Sequence, residues 1–275
     1  MASARATPVL AMAASAAFAL SASAPSSTPS SGEAATGDMP LPPAGGEFDY
    51  QLGGAYDPPA GVEVVARDRT ASPADGVYSI CYVNGFQTQP GELALWPDDL
   101  LLRGDDGAPL YDPDWPDEAI VDTRRADDVA RIVVPWIRGC ADAGFDAVEF
   151  DNLDTYTRTG GSLNLDDNLA LARLLVQAAH AEGLATGQKN AAEDAALLRD
   201  EAGFDFAVVE ECTVFDECNA YTAVYGAHVL AIEYPDTLDT PFTEACTDAD
   251  RPASLILRDR HLVTPDDPAY VYESC

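Results

Sequence analysis

The sequence predicts a (β/α)₈ TIM barrel built as a single α/β domain, and three observations carry that prediction. Short apolar runs alternate with helical patterns, the order that makes βα units and a parallel sheet. Eight such runs can be read along the chain, the number that closes a barrel. Five consecutive runs end in polar clusters, as barrel strands do when an active site is assembled at their C-terminal ends. The 275 residues, 47% of them hydrophobic, suit a fold that uses about 250 residues around one core.

Residues 1–24 read as a signal peptide: Arg5 supplies a thin basic start, an apolar stretch runs from Val9 to Leu20, and Ala22-Ser23-Ala24 is a small-residue cleavage site. The apolar stretch is short for a membrane span. Residues 25–46, rich in Ser, Pro, Gly and Ala, read as a flexible linker outside the fold, and residues 47–275 as the barrel domain. These features imply an exported, extracellular protein.

The candidate strands, in order, are Phe48–Leu52, Val62–Ala66, Val77–Val83, Ala147–Phe150, Leu184–Gly187, Phe204–Val209, Val229–Ile232 and Ser254–Leu257. Two helices stand out between them. Val129, Ile132, Val133, Trp136, Ile137 and Cys140 fall on one face, with Asp127 and Asp128 suited to the N-terminus and Gly144 to the end. Pro135 inside that pattern predicts a kink or a break into two helices. A second helix is predicted from Asp167 to Glu182, burying Leu171, Leu174, Leu175 and Ala178 and stopping at Gly183.

Six cysteines in an exported chain predict disulfides, although six allow 15 connectivities. Cys212 with Cys218, which closes a short loop, is the first pairing to expect, followed by Cys81 with Cys140 and Cys246 with Cys275. No CxxC or paired-histidine spacing supports zinc, and His180, His228 and His261 are scattered, with His180 suited to a helix C-terminus. A net charge of −32 argues against nucleic acid and against an anionic membrane as partners. It fits either a solubilising acidic surface or a field that draws in a cationic substrate.

The polar strand ends are Tyr82 and Asn84; Asp151-Asn152-Leu153-Asp154; Gln188-Lys189-Asn190; Glu210-Glu211-Cys212; and Glu233-Tyr234. Lys189 is the only lysine of the chain, placed where arginine could not mimic a compact ammonium. Asp151 alone could be a helix cap or turn residue, and Glu210 a surface residue or half of an ion pair. At two strand ends of one barrel they can converge, and a pair of carboxyl groups is what cleaves a glycosidic bond.

Taken as a series, Phe48-Asp49-Tyr50-Gln51-Leu52-Gly53, Ile80-Cys81-Tyr82-Val83-Asn84, Gly144 through Asp154, Gln188-Lys189-Asn190 and Glu210-Glu211-Cys212 resemble the endo-α-1,4-polygalactosaminidases, glycoside hydrolase family 114. The resemblance implies a TIM barrel, no cofactor, and a retaining attack on α-1,4-linked galactosamine polymers. It implies Asp151 as nucleophile and Glu210 as acid/base, with Glu211 the competing glutamate. That chemistry asks Glu210 to hold a proton near neutral pH, through burial or neighbouring carboxylates. Subsites for protonated sugar amines would be built from carboxylates, with Asp49, Asp154, Glu211 and Glu233 as candidates, and from aromatic faces, with Tyr50, Tyr82, Tyr156 and Tyr234. Asn84 and Asn190 would add polar contacts, and Lys189 would bond a sugar hydroxyl or orient Asp151. The expected partner is a polysaccharide and the expected form a monomer. Two rival readings are a secreted carbohydrate-binding barrel without catalysis, and a barrel hydrolase holding Ca²⁺ or Mg²⁺ through Asp151, Asp154 and a glutamate.

Overall fold

The computed structural model describes residues 39–275. The proposed signal peptide and most of the proposed linker lie outside the described residues. The linker's last eight residues, 39–46, do not stand apart from the domain as expected. Tyr78 Oη donates to the Pro40 carbonyl (2.7 Å), His228 Nδ1 lies 3.0 Å from the Pro42 carbonyl, and Pro42 is buried. Proline carbonyls keep both lone pairs free for such contacts, so this stretch serves as a strap on the barrel.

Nine strands form one sheet in sequence order. They are β1 (Phe48–Gln51), β2 (Val64–Asp68), β3 (Tyr78–Asn84), β4 (Ala147–Asp151), β5 (Ala185–Lys189), β6 (Phe206–Glu210), β7 (Val229–Glu233), β8 (Ser254–Arg258) and β9 (Tyr272–Ser274). β1 to β8 pair in parallel, each with the next, and β9 pairs antiparallel with β8. This is a nearly closed barrel of the TIM type. All eight predicted strands are present; β9 is the strand the sequence did not suggest. It lies toward β1, where Tyr272 Oη donates to the Phe48 carbonyl (3.0 Å).

The helices are α1 (Ala126–Ala143), α2 (Leu165–Ala181), α3 (Ala195–Leu197), α4 (Cys218–Tyr225) and α5 (Phe242–Ala245). They occupy the connections from β3 to β8, while those after β1, β2 and β8 carry none. α1 continues through Pro135 as one helix instead of breaking. Pro135 lies on the exposed face, as does Arg131, whose carbonyl loses its partner there to solvent. Gly144 closes α1 with φ +95°, a left-handed conformation glycine adopts without Cβ strain. α2 begins two residues earlier than predicted because Asn164 and Asp167 form a reciprocal capping box.

Strand alternation sorts the core into two parts. One parity faces the helices: Cys81, Val83, Val148, Phe150, Ala207, Val209, Ala231 and Leu257 pack there with α1, α2 and α4. The other fills the barrel: Phe48, Tyr50, Ile80, Ala147, Ala185, Phe206, Val208, Leu230, Ile232 and Ile256. Gly187 belongs to this inner set, and a Cβ there would come within 2.6 Å of the Phe206 ring, so the barrel closes only over a glycine. The three expected disulfides are formed: Cys81–Cys140, Cys212–Cys218 and Cys246–Cys275. Residues 85–122, between β3 and α1, make a long excursion with antiparallel bridges such as Gln87 to Ile120 and Tyr111 to Ala119. It is anchored by Leu102 and Ile120 against Leu163.

Candidate active site

The inner parity becomes polar as the strands rise to their C-terminal ends. β4 runs Ala147, Glu149, Asp151; β5 runs Ala185, Gly187, Lys189; β6 runs Phe206, Val208, Glu210. The last member of each row opens on a cleft of about 860 Å³, also lined by Tyr82, Asn190, Glu211 and Tyr234. The excursion 85–122 forms one wall of it with Asp112, Asp114, Trp115 and Glu118.

Lys189 stands at the floor, with its side chain 3% exposed. Its ammonium is 3.0 Å from Glu210 Oε2, 3.4 Å from Asp151 Oδ2 and 4.0 Å from Glu149 Oε1. Asp151 also accepts from Tyr82 Oη (2.8 Å) and from the Asn152 amide (2.7 Å). Glu210 accepts from Asn190 Nδ2 (3.1 Å) and, at Oε1, from Tyr234 Oη. Asn190 Oδ1 in turn accepts from the Glu210 amide (2.8 Å), so one asparagine in the left-handed region (φ 51°) fixes both ends of that residue. Burial raises the Glu210 carboxyl, but Lys189, Tyr234 and Asn190 outweigh it and hold it below the ordinary glutamate range. The expectation of a proton held on Glu210 is therefore corrected for the free enzyme. Burial depresses the Lys189 ammonium, and Asp151, Glu210 and Glu149 more than reverse this, so it stays charged.

Glu211, the competing glutamate, is turned to the rim. Arg260 clasps it through two bonds of 2.9 Å, and Thr237 donates to it at 2.5 Å. Arg260 is the main cause of its lowered pKa. The same guanidinium lies 4.3 Å over the Tyr234 ring, behind the hydroxyl that reaches Glu210.

Of the other predicted binding residues, Asp154, Tyr82, Asn190 and Tyr234 line the cleft, and five do not. Asp49 and Glu233 are fully buried with the outward parity, so they cannot face the mouth. Asp49 pairs with Arg258 (2.8 Å), and Glu233 accepts from the Thr213 amide (2.8 Å). Tyr50 has the inner parity but lies one layer too deep, donating to Glu149 (2.5 Å). Asn84 is buried and donates to Glu118 Oε2 (2.9 Å), and Tyr156 turns to Asp194 (2.8 Å). Asp154 is held 3.0 Å from Arg158 Nη1, so one of its oxygens is already engaged by a cation.

Sequence reasoning missed the wall residues Asp112, Trp115 and Glu118, because the excursion carries no clean periodicity. Burial, then the charge of Asp151, pushes Glu118 up to about 7. It also missed Glu149, whose two-residue spacing from Asp151 puts both on the inner face. Three carboxyl groups around one ammonium, opening on an acidic cleft with an exposed tryptophan, can hold and cleave a bond between sugar units.

The sequence model of glycoside-hydrolase family GH114 matches residues 28–275. No curated protein matches the chain. Among solved structures, Ega3 of Aspergillus fumigatus, in complex with galactosamine, superposes with a TM-score of 0.70 at 22% identity, covering 86% of this chain and 97% of that one. The glycoside hydrolase domain of PelA from Pseudomonas aeruginosa superposes with a TM-score of 0.60 at 15% identity, covering 82% and 97%. At these identities the two structures establish a shared fold.

Proposed function

The chain belongs to glycoside-hydrolase family GH114 and is a glycoside hydrolase; from that premise we propose that it cleaves α-1,4-galactosaminidic bonds in an extracellular polysaccharide, with retention at the anomeric carbon. The observation that carries the assignment of residues is the single ammonium of Lys189 set between Asp151 and Glu210. Contacts of 3.4 and 3.0 Å on one nitrogen keep the two contacting oxygens within roughly 6.5 Å of each other, a ceiling that admits the separation of about 5–5.5 Å that retention uses.

In the first step Asp151 attacks the anomeric carbon while the bond to the leaving oxygen breaks and that oxygen takes a proton from Glu210. The sugar is then held as an ester on Asp151. In the second step Glu210, now a carboxylate, takes a proton from water, whose oxygen attacks the same carbon and releases Asp151. Tyr82 and Asn152 fix the attacking carboxylate from one side and Lys189 from below.

The cationic-sugar reading rests on the acidic lining, where Asp68, Asp112, Asp114, Glu118 and Asp154 outnumber Arg158 and Arg260, although Arg158 is paired with both Asp112 and Asp154. A fold neighbour crystallised with galactosamine is in keeping with it. Export is supported by the disulfides, which persist in oxidising compartments. Among the described residues no helix is long and apolar enough to cross a membrane.

The test is hydrolysis of de-N-acetylated and fully acetylated galactosamine polymer side by side, with the anomer of the first product read by proton NMR. Faster cleavage of the de-N-acetylated polymer with an α-anomer first is expected. Equal rates would remove amine recognition, a β-anomer would remove retention, and unchanged turnover by Glu210→Gln would remove the assignment of the acid.

A further inference from the structure

Retention requires a proton on Glu210 when the sugar arrives, yet the surroundings of Glu210 in the free enzyme favour its anion. Both of its oxygens receive donors, Oε1 from Tyr234 and Oε2 from Asn190 and Lys189. One layer below, Glu149 is built the opposite way. It is fully buried, its Oε1 accepts from Tyr50 (2.5 Å), and its Oε2 is buried with no hydrogen-bond partner among the described residues. An anionic oxygen left bare in the barrel interior costs far more than a protonated carboxyl there. Apolar groups pack below it and on one side: Ala147 on β4, Gly187 beside it on β5, and Phe206 beyond.

The charged and titratable groups that face Glu149 come from five strands. They are Tyr50 on β1, Tyr82 on β3, Asp151 on its own β4, Lys189 on β5 and Glu210 on β6. Among them Lys189 alone lies between the two glutamates: its nitrogen is within hydrogen-bond reach of Glu210 Oε2 (3.0 Å) and 4.0 Å from Glu149 Oε1, a gap the side chains must close for a proton to cross.

We propose that Glu149 is a positioning residue that stores the catalytic proton in the free enzyme, and that Lys189 relays it to Glu210 as the sugar enters. Lys189 gives one N–H proton to Glu210 Oε2, and the lone pair left on its nitrogen takes the proton of Glu149. One proton moves from Glu149 to Glu210; the lysine ends as the ammonium it began as, now beside a Glu149 carboxylate. The driving force is desolvation: a bound sugar strips water from half-exposed Glu210, raising the cost of its charge, while Glu149 is dry already. Burial pushes the Glu149 carboxyl up to about 8 against the pull of Lys189 and Tyr50. The two glutamates therefore share one proton over the neutral range and titrate as a pair. The inference rests on Glu210 as the acid of the proposed reaction.

The experiment is the pH profile of kcat/KM on galactosamine polymer for the wild type, Glu149→Gln, Tyr50→Phe and Glu210→Gln. In the wild type, activity should fall above about pH 8, where the shared proton is lost. Glu149→Gln keeps the shape but cannot carry the proton, so its alkaline limb should move at least one unit toward acid, and Glu149→Asp should move it back. Tyr50→Phe removes a donor that stabilises the Glu149 anion, so its limb should move the other way, to higher pH. A Glu149→Gln profile that is merely lower at every pH, with its limb in place, would show a structural role and overturn the proposal. If that variant does not fold, the Tyr50→Phe limb decides, and a limb that stays or moves toward acid overturns it. Full turnover in Glu210→Gln would sink the reading beneath; an inactive Glu210→Gln with an unmoved Glu149→Gln limb sinks the proton store alone.

Discussion

The barrel takes charged side chains out of water in two places, at the ends of β4 to β6 and at the seam where β8 faces β1, and the two are built on opposite rules. At the seam the strands are not paired with each other, and Arg258 takes the place of the missing ladder. Its guanidinium is fully buried and gives bonds to Asp49 (2.8 Å), the Tyr50 carbonyl, the Val263 carbonyl (3.1 Å) and the Val271 carbonyl (3.0 Å). Asp49 is completed by Gln51 (2.7 Å) and Tyr56 (2.9 Å). The cation meets Asp49 closely and Asp259 more loosely (3.7 Å), and the bonds of the Arg258–Asp49 pair are filled, which leaves nothing over for a substrate. At the mouth a single ammonium serves three carboxyl groups, two of them half-open to the cleft. An excess of charge with room for a visitor separates a working cluster from a structural pair.

The largest effect that would sharpen this contrast is at Asp151. Asp151→Asn keeps the shape but removes the attacking oxygen, and turnover should fall by about 10⁴-fold or more, measured as reducing ends released from galactosamine polymer. The denaturation midpoint should stay with the wild type, because Lys189 keeps Glu210 as its partner. A variant that lost both activity and fold would place Asp151 with the structural pairs.

Arg258→Met tests the other half. It leaves the Asp49 carboxylate buried and unpaired, and such a break costs about 3–5 kcal/mol, read by urea denaturation. The fraction that remains folded should keep its KM and kcat. Exchanging Asp49 for Asn in the same chain should return part of the loss, since the stranded charge is then gone. Intact stability in Arg258→Met would show that the seam is closed by β9 alone.

Strand parity explains most of what the sequence did and did not disclose about these two places. All eight parallel strands were legible because each is a short apolar run between turn residues, and apolar runs are what a barrel buries from both sides. The ninth, Tyr-Glu-Ser, has no such run and exists because Cys275 and the free edge of β8 hold it. Asp151, Lys189 and Glu210 were found because they come last on their strands and face inward, and Tyr234 because it follows β7 with the same parity. Glu233 ends β7 one residue out of phase and Asp49 lies near the start of β1 with the same outward parity, and a polar cluster read as a block shows neither phase nor depth. Glu149 was overlooked for the converse reason: a glutamate inside an apolar strand looks like an outward exception until Ala147 and Asp151 give its parity.

Glu233→Gln therefore makes a sharper test of phase than of chemistry. Glu233 ends β7 and reaches the loop before α4, where burial raises its carboxyl and the Thr213 amide pulls it back. A neutral amide can still accept from Thr213, so stability should change by about 1 kcal/mol and turnover not at all. A loss of activity in a folded Glu233→Gln would mean that the outward row takes part in catalysis.

The smallest effect is expected at Glu211, next in sequence to the proposed acid. Its backbone is in the left-handed region (φ 58°), which swings its side chain out of the inner row that ends at Glu210. There it is held by two bonds from Arg260 and one from Thr237, and Arg260 keeps it ionised. A carboxylate so paired is a poor proton donor to a leaving oxygen. Its reach into the site is indirect, through Arg260 over the Tyr234 ring and the Tyr234 hydroxyl on Glu210. Glu211→Gln keeps most of that geometry and loosens only the ion pair, so kcat should fall less than about tenfold, against roughly 10²–10⁴-fold for Glu210→Gln. A reversal of that order in folded proteins would move the acid to the rim and make Lys189, Asn190 and Tyr234 the supports of a spectator.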